Sequence, residues 1–145
     1  MKILNRKAPF NAEIQDTFEA GIMLTGAEVK AARLGKVDLT ASFAKITGLE
    51  MYLYNARIFP YQYARPDGYD ERRTRKLLLH KKQILGLKGK MEGANLTLTP
   101  LSLYTTRGLV KVELGLGKPK KLFQKKQAIK KRDLDRELAS LSKYR

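Results

Sequence analysis

Apolar residues recur at alternate positions through much of residues 1–117, the spacing at which a strand sends successive side chains to opposite faces. Phe10, Ala12 and Ile14 predict a short strand from Phe10 to Thr17. Phe43 to Thr47 and Glu50 to Ile58, separated by Gly48, predict a hairpin whose second arm carries Met51-Tyr52-Leu53-Tyr54. Further on, Leu96 and Leu98 alternate with Thr97 and Thr99, and beyond Pro100 the apolar phase moves to Leu101 and Leu103, as a bulge or bend requires. Arg107-Gly108 then predicts a tight turn into Val110, Val112, Leu114 and Leu116, which alternate with Lys111 and Glu113.

Helical spacing is rarer. Between Glu19 and Arg33 the small residues Ala27, Ala31 and Ala32 accompany Ile22 and Val29, with Gly35 as a possible C-cap. Gly21 and Gly26 weaken the first half, so a helix is expected for the second. A short helical turn is expected from Leu39 to Phe43. From Glu71 to Leu87, Leu77, Leu78, Ile84, Leu85 and Leu87 recur near helical spacing among Arg and Lys, which predicts a basic amphipathic helix with His80 in its register. Pro60, Pro66 and Gly68 mark an irregular loop bearing Tyr61, Tyr63 and Tyr69. About six short strands with few long helices suggest a curled, mostly antiparallel sheet, an open barrel or a sandwich. The barrel is preferred, because barrels of the oligonucleotide-binding type present a curved face to polyanions.

Charge changes this picture most. The 145 residues hold 30 Lys+Arg against 14 Asp+Glu, a net +16, and half of that excess lies in the last 28 residues. Gly115, Gly117 and Pro119 punctuate the chain there, so the expected division is a body at 1–117 and a basic tail at 118–145. Read as a helix, the tail would place Phe123, Leu134, Leu138 and Leu141 on one side, with Leu122 and Ile129 turned away; fully helical it would reach roughly 40 Å. That stripe is too split to dock well on the body, and the cations from Lys120 to Arg132 repel one another. The tail is therefore expected to be disordered when free and helical on a polyanionic partner. Nucleic acid is the leading partner class, since Lys and Arg release condensed counterions on meeting phosphates. No run approaches the roughly 20 apolar residues of a membrane span, and the start has no apolar leader, so a soluble, unexported protein is expected.

Catalytic chemistry is poorly supplied. There is no Cys, and His80 is the only imidazole, which rules out thiol nucleophiles and multi-histidine zinc sites. The close carboxylates Asp67/Asp70/Glu71 and Asp133/Asp135/Glu137 adjoin Arg and read as surface pairs, and no phosphate-binding glycine loop is present. No catalytic residue, metal site or cofactor is expected. Binding is better supplied: seven Tyr and five Phe lie among the cations, and unpaired bases stack on such rings while cations track phosphates. Tyr52 and Tyr54 read as half-buried strand residues, whereas Tyr61, Tyr63 and Tyr69 are the candidates for stacking. Glu28 is out of place in a cationic setting, and reads either as a helix charge partner or as an acceptor facing a base edge, a 2′-hydroxyl or a nearby Arg.

Several segments together carry a family likeness: Asn5-Arg6-Lys7-Ala8, Glu19-Ala20-Gly21-Ile22, Gly26-Ala27-Glu28-Val29-Lys30 through Gly35, Arg75-Lys76-Leu77-Leu78-Leu79-His80-Lys81, and the Lys120-Lys121 tail. Collinear from Asn5 to the end of the chain, they resemble the SsrA-binding protein (SmpB) family. The resemblance implies a mainly β fold, a small antiparallel barrel of oligonucleotide-binding type flanked by short helices. It implies an RNA-binding adaptor, not an enzyme, that grips the tRNA-like domain of transfer-messenger RNA (tmRNA) as a monomer in a one-to-one complex. The tail would enter the vacant mRNA channel of a stalled ribosome in the cytoplasm, so that translation resumes on the tag-coding part of the RNA. By position, Asn5, Glu28, Lys30 and Arg33 would face tmRNA, Glu28 as an RNA contact or an organiser of Arg33, and Arg75, Lys76 and Lys81 could join them. Lys120, Lys121, Phe123, Lys125, Lys126, Lys130, Lys131 and Arg132 would engage small-subunit ribosomal RNA. The tail departs from the family pattern at Pro119 and at Gln124-Lys125-Lys126, where Lys keeps charge but loses the bidentate fork of Arg. The alternative from composition alone is a ribosome-associated structural or assembly protein.

Overall fold

The computed structural model describes residues 2–62 and 68–120, with the side chains of Phe10 and Asn11 left aside. In chain order the elements are β1 (Lys2–Leu4), α1 (Ala8–Asn11), β2 (Ala12–Ile22), α2 (Gly26–Arg33), β3 (Val37–Asp38) and β4 (Phe43–Thr47). They continue with β5 (Glu50–Tyr54), β6 (Arg57–Ile58), β7 (Arg75–Leu78), α3 (Lys81–Met91), β8 (Thr97–Thr106) and β9 (Leu109–Pro119). The strands β8, β4, β5, β7, β2 and β9 neighbour one another in that order, and the β8–β9 pairing closes them into a ring; β1 adds to β8, and β3 pairs with β6. Every pairing is antiparallel. The expected six-strand antiparallel barrel is thus present.

Alternation fixes the register. Met51, Leu53, Leu77, Leu98, Leu103, Val112, Leu114 and Leu116 point inward and are almost wholly buried. Burial of such a side chain contributes about 1.5–3 kcal/mol, and a one-residue slip would turn a whole strand's set outward. The β8–β9 hairpin turns at Arg107 (φ 51°) and Gly108 (φ 79°), left-handed at both positions as the twist-matched two-residue turn demands. The shift after Pro100 is a bulge: the register slips between Pro100 and Ser102.

Four expectations are corrected. The strand expected from Phe10 to Thr17 is β2, which starts at Ala12, behind the single turn of α1, and runs through Glu19-Ala20-Gly21-Ile22. Residues 75–78 form a strand instead of the start of a helix, because Arg75 and Leu77 face inward while Lys76 and Leu78 face outward between β5 and β2. The helix begins only at Lys81, where the His80 amide donates to Gln83 Oε1 at 3.1 Å, so His80 caps the helix from outside it. Leu39 to Phe43 is a turn, held by the Ser42 hydroxyl on the Leu39 carbonyl at 2.6 Å, and Phe43 already belongs to β4.

Gly115 and Gly117 do not end the body. Both lie inside β9, which pairs with β2 as far as Ala12–Pro119, two residues past the expected boundary. A Cβ on Gly117 would sit 2.2 Å from the Glu13 carbonyl oxygen, so β2 can approach only because that side chain is missing.

Candidate nucleic-acid interface

Glu28 lies where α2 meets the loop before β7. The Thr25 hydroxyl caps α2 by accepting from the Glu28 amide at 3.3 Å, and Glu28 Oε1 accepts from the Thr25 amide at 2.9 Å, a reciprocal capping box. The same carboxylate takes two guanidinium groups: Arg73 Nη2 at 2.5 Å on Oε1, and Arg75 Nε at 2.6 Å on Oε2. Arg75 further donates to the carbonyls of Ala56 (2.7 Å), Arg73 (2.9 Å) and Glu71 (3.1 Å), so its planar fork is fully used. Burial pushes the Glu28 carboxyl upward, but Arg73, the Thr25 amide and Arg75 outweigh it and hold the group below its ordinary value.

Expectations change here at three residues. Arg75 has no exposed surface and cannot meet RNA, and Glu28 is 1% exposed and cannot receive a base edge. Nor does Glu28 organise Arg33, whose Nη2 donates instead to the Gly108 carbonyl at 3.1 Å. Asn5 is also buried: its amide donates to the Pro100 carbonyl at 2.8 Å and its Oδ1 accepts from the Lys7 amide at 3.3 Å, tying the end of β1 to the bulge of β8. The side chains expected to read RNA at these three positions hold the framework.

The cations that do face solvent come from several elements. Lys30 and Arg33 project from α2. Lys30 Nζ stands 5.5 Å from the centroid of the Tyr61 ring, and Arg33 reaches the β8–β9 turn, where Arg107 is exposed. Lys76 lies on the outer face of β7 and pairs with Glu50 at 3.1 Å. Lys81 opens α3 beside Lys82, with no acidic residue in that first turn. Cations there oppose the helix dipole by about 0.3–1 kcal/mol each, so helix stability does not account for them. Of the loop tyrosines, Tyr69 donates its hydroxyl to the Ile58 carbonyl at 2.7 Å and is a loop anchor, and Tyr63 lies outside the described residues. So do Lys121, Phe123, Lys125, Lys126, Lys130, Lys131 and Arg132; Lys120 is the last residue described.

Sequence reasoning missed a polar cluster across β2, β8 and β9. The Tyr104 hydroxyl donates to Glu19, whose other oxygen lies 4.0 Å from Lys111 Nζ. Burial, then the Glu19 carboxylate, push the Tyr104 hydroxyl up to about 12. Residues 85 positions apart are matched only once the register is known. Among the described residues no group of three or more His, Cys, Asp or Glu could hold a metal, and no helix is long and apolar enough to cross a membrane.

Comparison with known proteins supplies the family. A model of the SmpB protein family matches residues 2–144. The SsrA-binding protein of Chlorobaculum tepidum is 48% identical over 142 residues, 97% of this chain and 90% of that protein. That of Afipia carboxidovorans is 49% identical over 142 residues, with the same coverage. A solved structure, "tmRNA-SmpB: a journey to the center of the bacterial ribosome", contains a chain 47% identical, with a TM-score of 0.70 over 88% of this chain and 94% of that one. With its closed six-strand barrel and a match along nearly its whole length, the chain belongs to the SmpB protein family.

Proposed function

We propose that this protein is a tmRNA-binding adaptor of trans-translation. It binds the tRNA-like domain of tmRNA and delivers it to stalled ribosomes in the cytoplasm, as a monomer in a one-to-one complex with that RNA. It performs no catalysis. The observation that carries this reading is the likeness, at close to half identity over nearly the full chain, to SsrA-binding proteins and to the SmpB chain of a ribosomal structure.

The body supplies the grip. Lys30 and Arg33 are exposed on α2, whose start is fixed by the Thr25–Glu28 box, so their charges meet phosphates from a rigid base. Glu28, Arg75 and Asn5 act through that framework by holding α2, the loop before β7 and the β8 bulge in place. Lys120, Lys121, Lys125, Lys126, Lys130, Lys131 and Arg132 engage small-subunit ribosomal RNA in the vacant mRNA channel, and Phe123 stacks on a base of the decoding centre.

A truncated chain ending at Lys120, which keeps all of β9, tests this division. It should bind tmRNA nearly as well as the full chain but support no tagging of stalled peptides. Loss of tmRNA affinity on truncation would overturn the division of labour. Capture of ribosomal RNA without tmRNA by the full chain would favour a structural or assembly role on the ribosome.

A further inference from the structure

The sheet of β4, β5 and β7 carries apolar groups on both faces. Its inward residues Ala44, Met51, Leu53 and Leu77 are buried and serve the core. The outer face of an antiparallel sheet ordinarily turns polar residues to water, yet this one holds Phe43, Tyr52 and Tyr54. Phe43 is 49% exposed, and its ring lies on that of Tyr54 with centroids 5.3 Å apart and planes inclined by 13°. Next to this stack, Lys45, Tyr52 and Lys76 stand directly opposite one another on three adjacent strands, a row about 10 Å wide. Glu50 accepts from the Tyr52 hydroxyl and pairs with Lys76, which fixes that ring and that cation. Lys45 pairs with no carboxylate among the described residues.

Phe43 and Lys45 also line an open groove of about 900 Å³, bounded by Met91 of α3, by Leu96 just before β8 and by Thr97 at its start. Thr97 is paired with Gly117, so the groove, with Phe43 in its lining, reaches the strand pair at the end of β9, where the basic segment begins.

We propose that the outer face of β4, β5 and β7 is a stacking platform for unpaired bases of ribosomal RNA. Every base has a π-face, so the exposed Phe43 ring and the half-buried Tyr54 ring stacked on it, flanked by ammonium groups, accept single-stranded RNA without reading its sequence. Continuity with the start of the tail selects the source, because the tail's cations and the platform would then lie on one RNA surface while α2 serves tmRNA. The proposal rests on the adaptor reading only for that choice of source.

The test combines Phe43→Leu with Tyr54→Leu in the full chain, which keeps apolar bulk but removes both ring faces. Lys45→Glu, at an exposed position with no ion-pair partner among the described residues, is read independently and does not disturb packing. Binding is measured to a ten-nucleotide single-stranded RNA, to isolated small ribosomal subunits and to the tRNA-like domain of tmRNA. The leucine pair should lose about 10- to 100-fold in affinity for the oligonucleotide. Lys45→Glu should weaken the same interaction, both variants should bind subunits less well, and the tRNA-like domain should be bound as before. Unchanged oligonucleotide binding in both variants overturns the platform, and an equal or larger loss on the tRNA-like domain overturns the ribosomal assignment. A parent protein that fails to bind the tRNA-like domain would refute the adaptor reading, while the oligonucleotide measurement would still decide the platform.

Discussion

Glu28 and Arg75 are both buried, and Glu28, which also takes Arg73, is the one carboxylate paired with Arg75 among the described residues, so removing Glu28 strands the Arg75 guanidinium without water. Glu28→Ala should therefore destabilise the protein by about 3–5 kcal/mol, read from urea unfolding. The pH dependence follows from the direction of the shift. Because the folded carboxyl is held below its ordinary value of 4.5, its contribution is complete at neutral pH and is lost as pH falls below about 4.5 through the folded value. Between pH 7 and pH 3 the parent should lose stability that Glu28→Gln, which has no carboxylate to protonate, does not lose. An equal loss in both would place the acid sensitivity elsewhere. The sequence already shows Glu28 as a misfit among cations, but its partners Arg73 and Arg75 lie 45 and 47 residues away, a distance only the fold closes. Lys30 and Arg33 were legible as surface cations because helical spacing sets them away from buried Ala31 and Ala32.

At the scale of elements, a long alternating run such as β9 could be read directly, whereas four residues could not. Arg75-Lys76-Leu77-Leu78 fits period 2 and period 3.6 equally well, and the decision belongs to the strands on either side, β5 and β2. Gly115 and Gly117 misled for a related reason, since glycine marks a loop or a close approach of backbones and only the pairing with β2 distinguishes the two. Their substitution should separate cleanly. Gly117→Ala drives a methyl group into the Glu13 backbone and should open the β2–β9 ladder at a cost of at least about 1–3 kcal/mol. Gly115→Ala meets chiefly the Ile14 and Leu101 side chains, which can shift, and should lower Tm less. Thr25→Ala removes the cap of α2 and should cost about 1 kcal/mol by thermal unfolding, and equal stability would mean that the box does not hold the helix start.

For the whole molecule, the net +16 makes RNA association an electrolyte effect as much as a contact list. If about eight phosphates are neutralised, the logarithm of the tmRNA affinity should fall against the logarithm of salt concentration with a slope near −7 on the duplex-like domain. A flat response would contradict the phosphate account. The barrel and the charge imbalance were both accessible from the sequence, because alternation and composition are properties of the chain alone. The outward aromatics of β4 and β5 were not, since Tyr52 and Tyr54 alternate with buried residues whichever face meets water. The place of β9 in the ring has a mechanical consequence. It is the last strand described and is hydrogen-bonded along both edges, to β2 and to β8. A tug on Lys120 directed along β9 therefore loads two ladders in shear, every rung sharing the force, and does not peel them one rung at a time, so the barrel is a firm mooring for whatever strains at its carboxyl end.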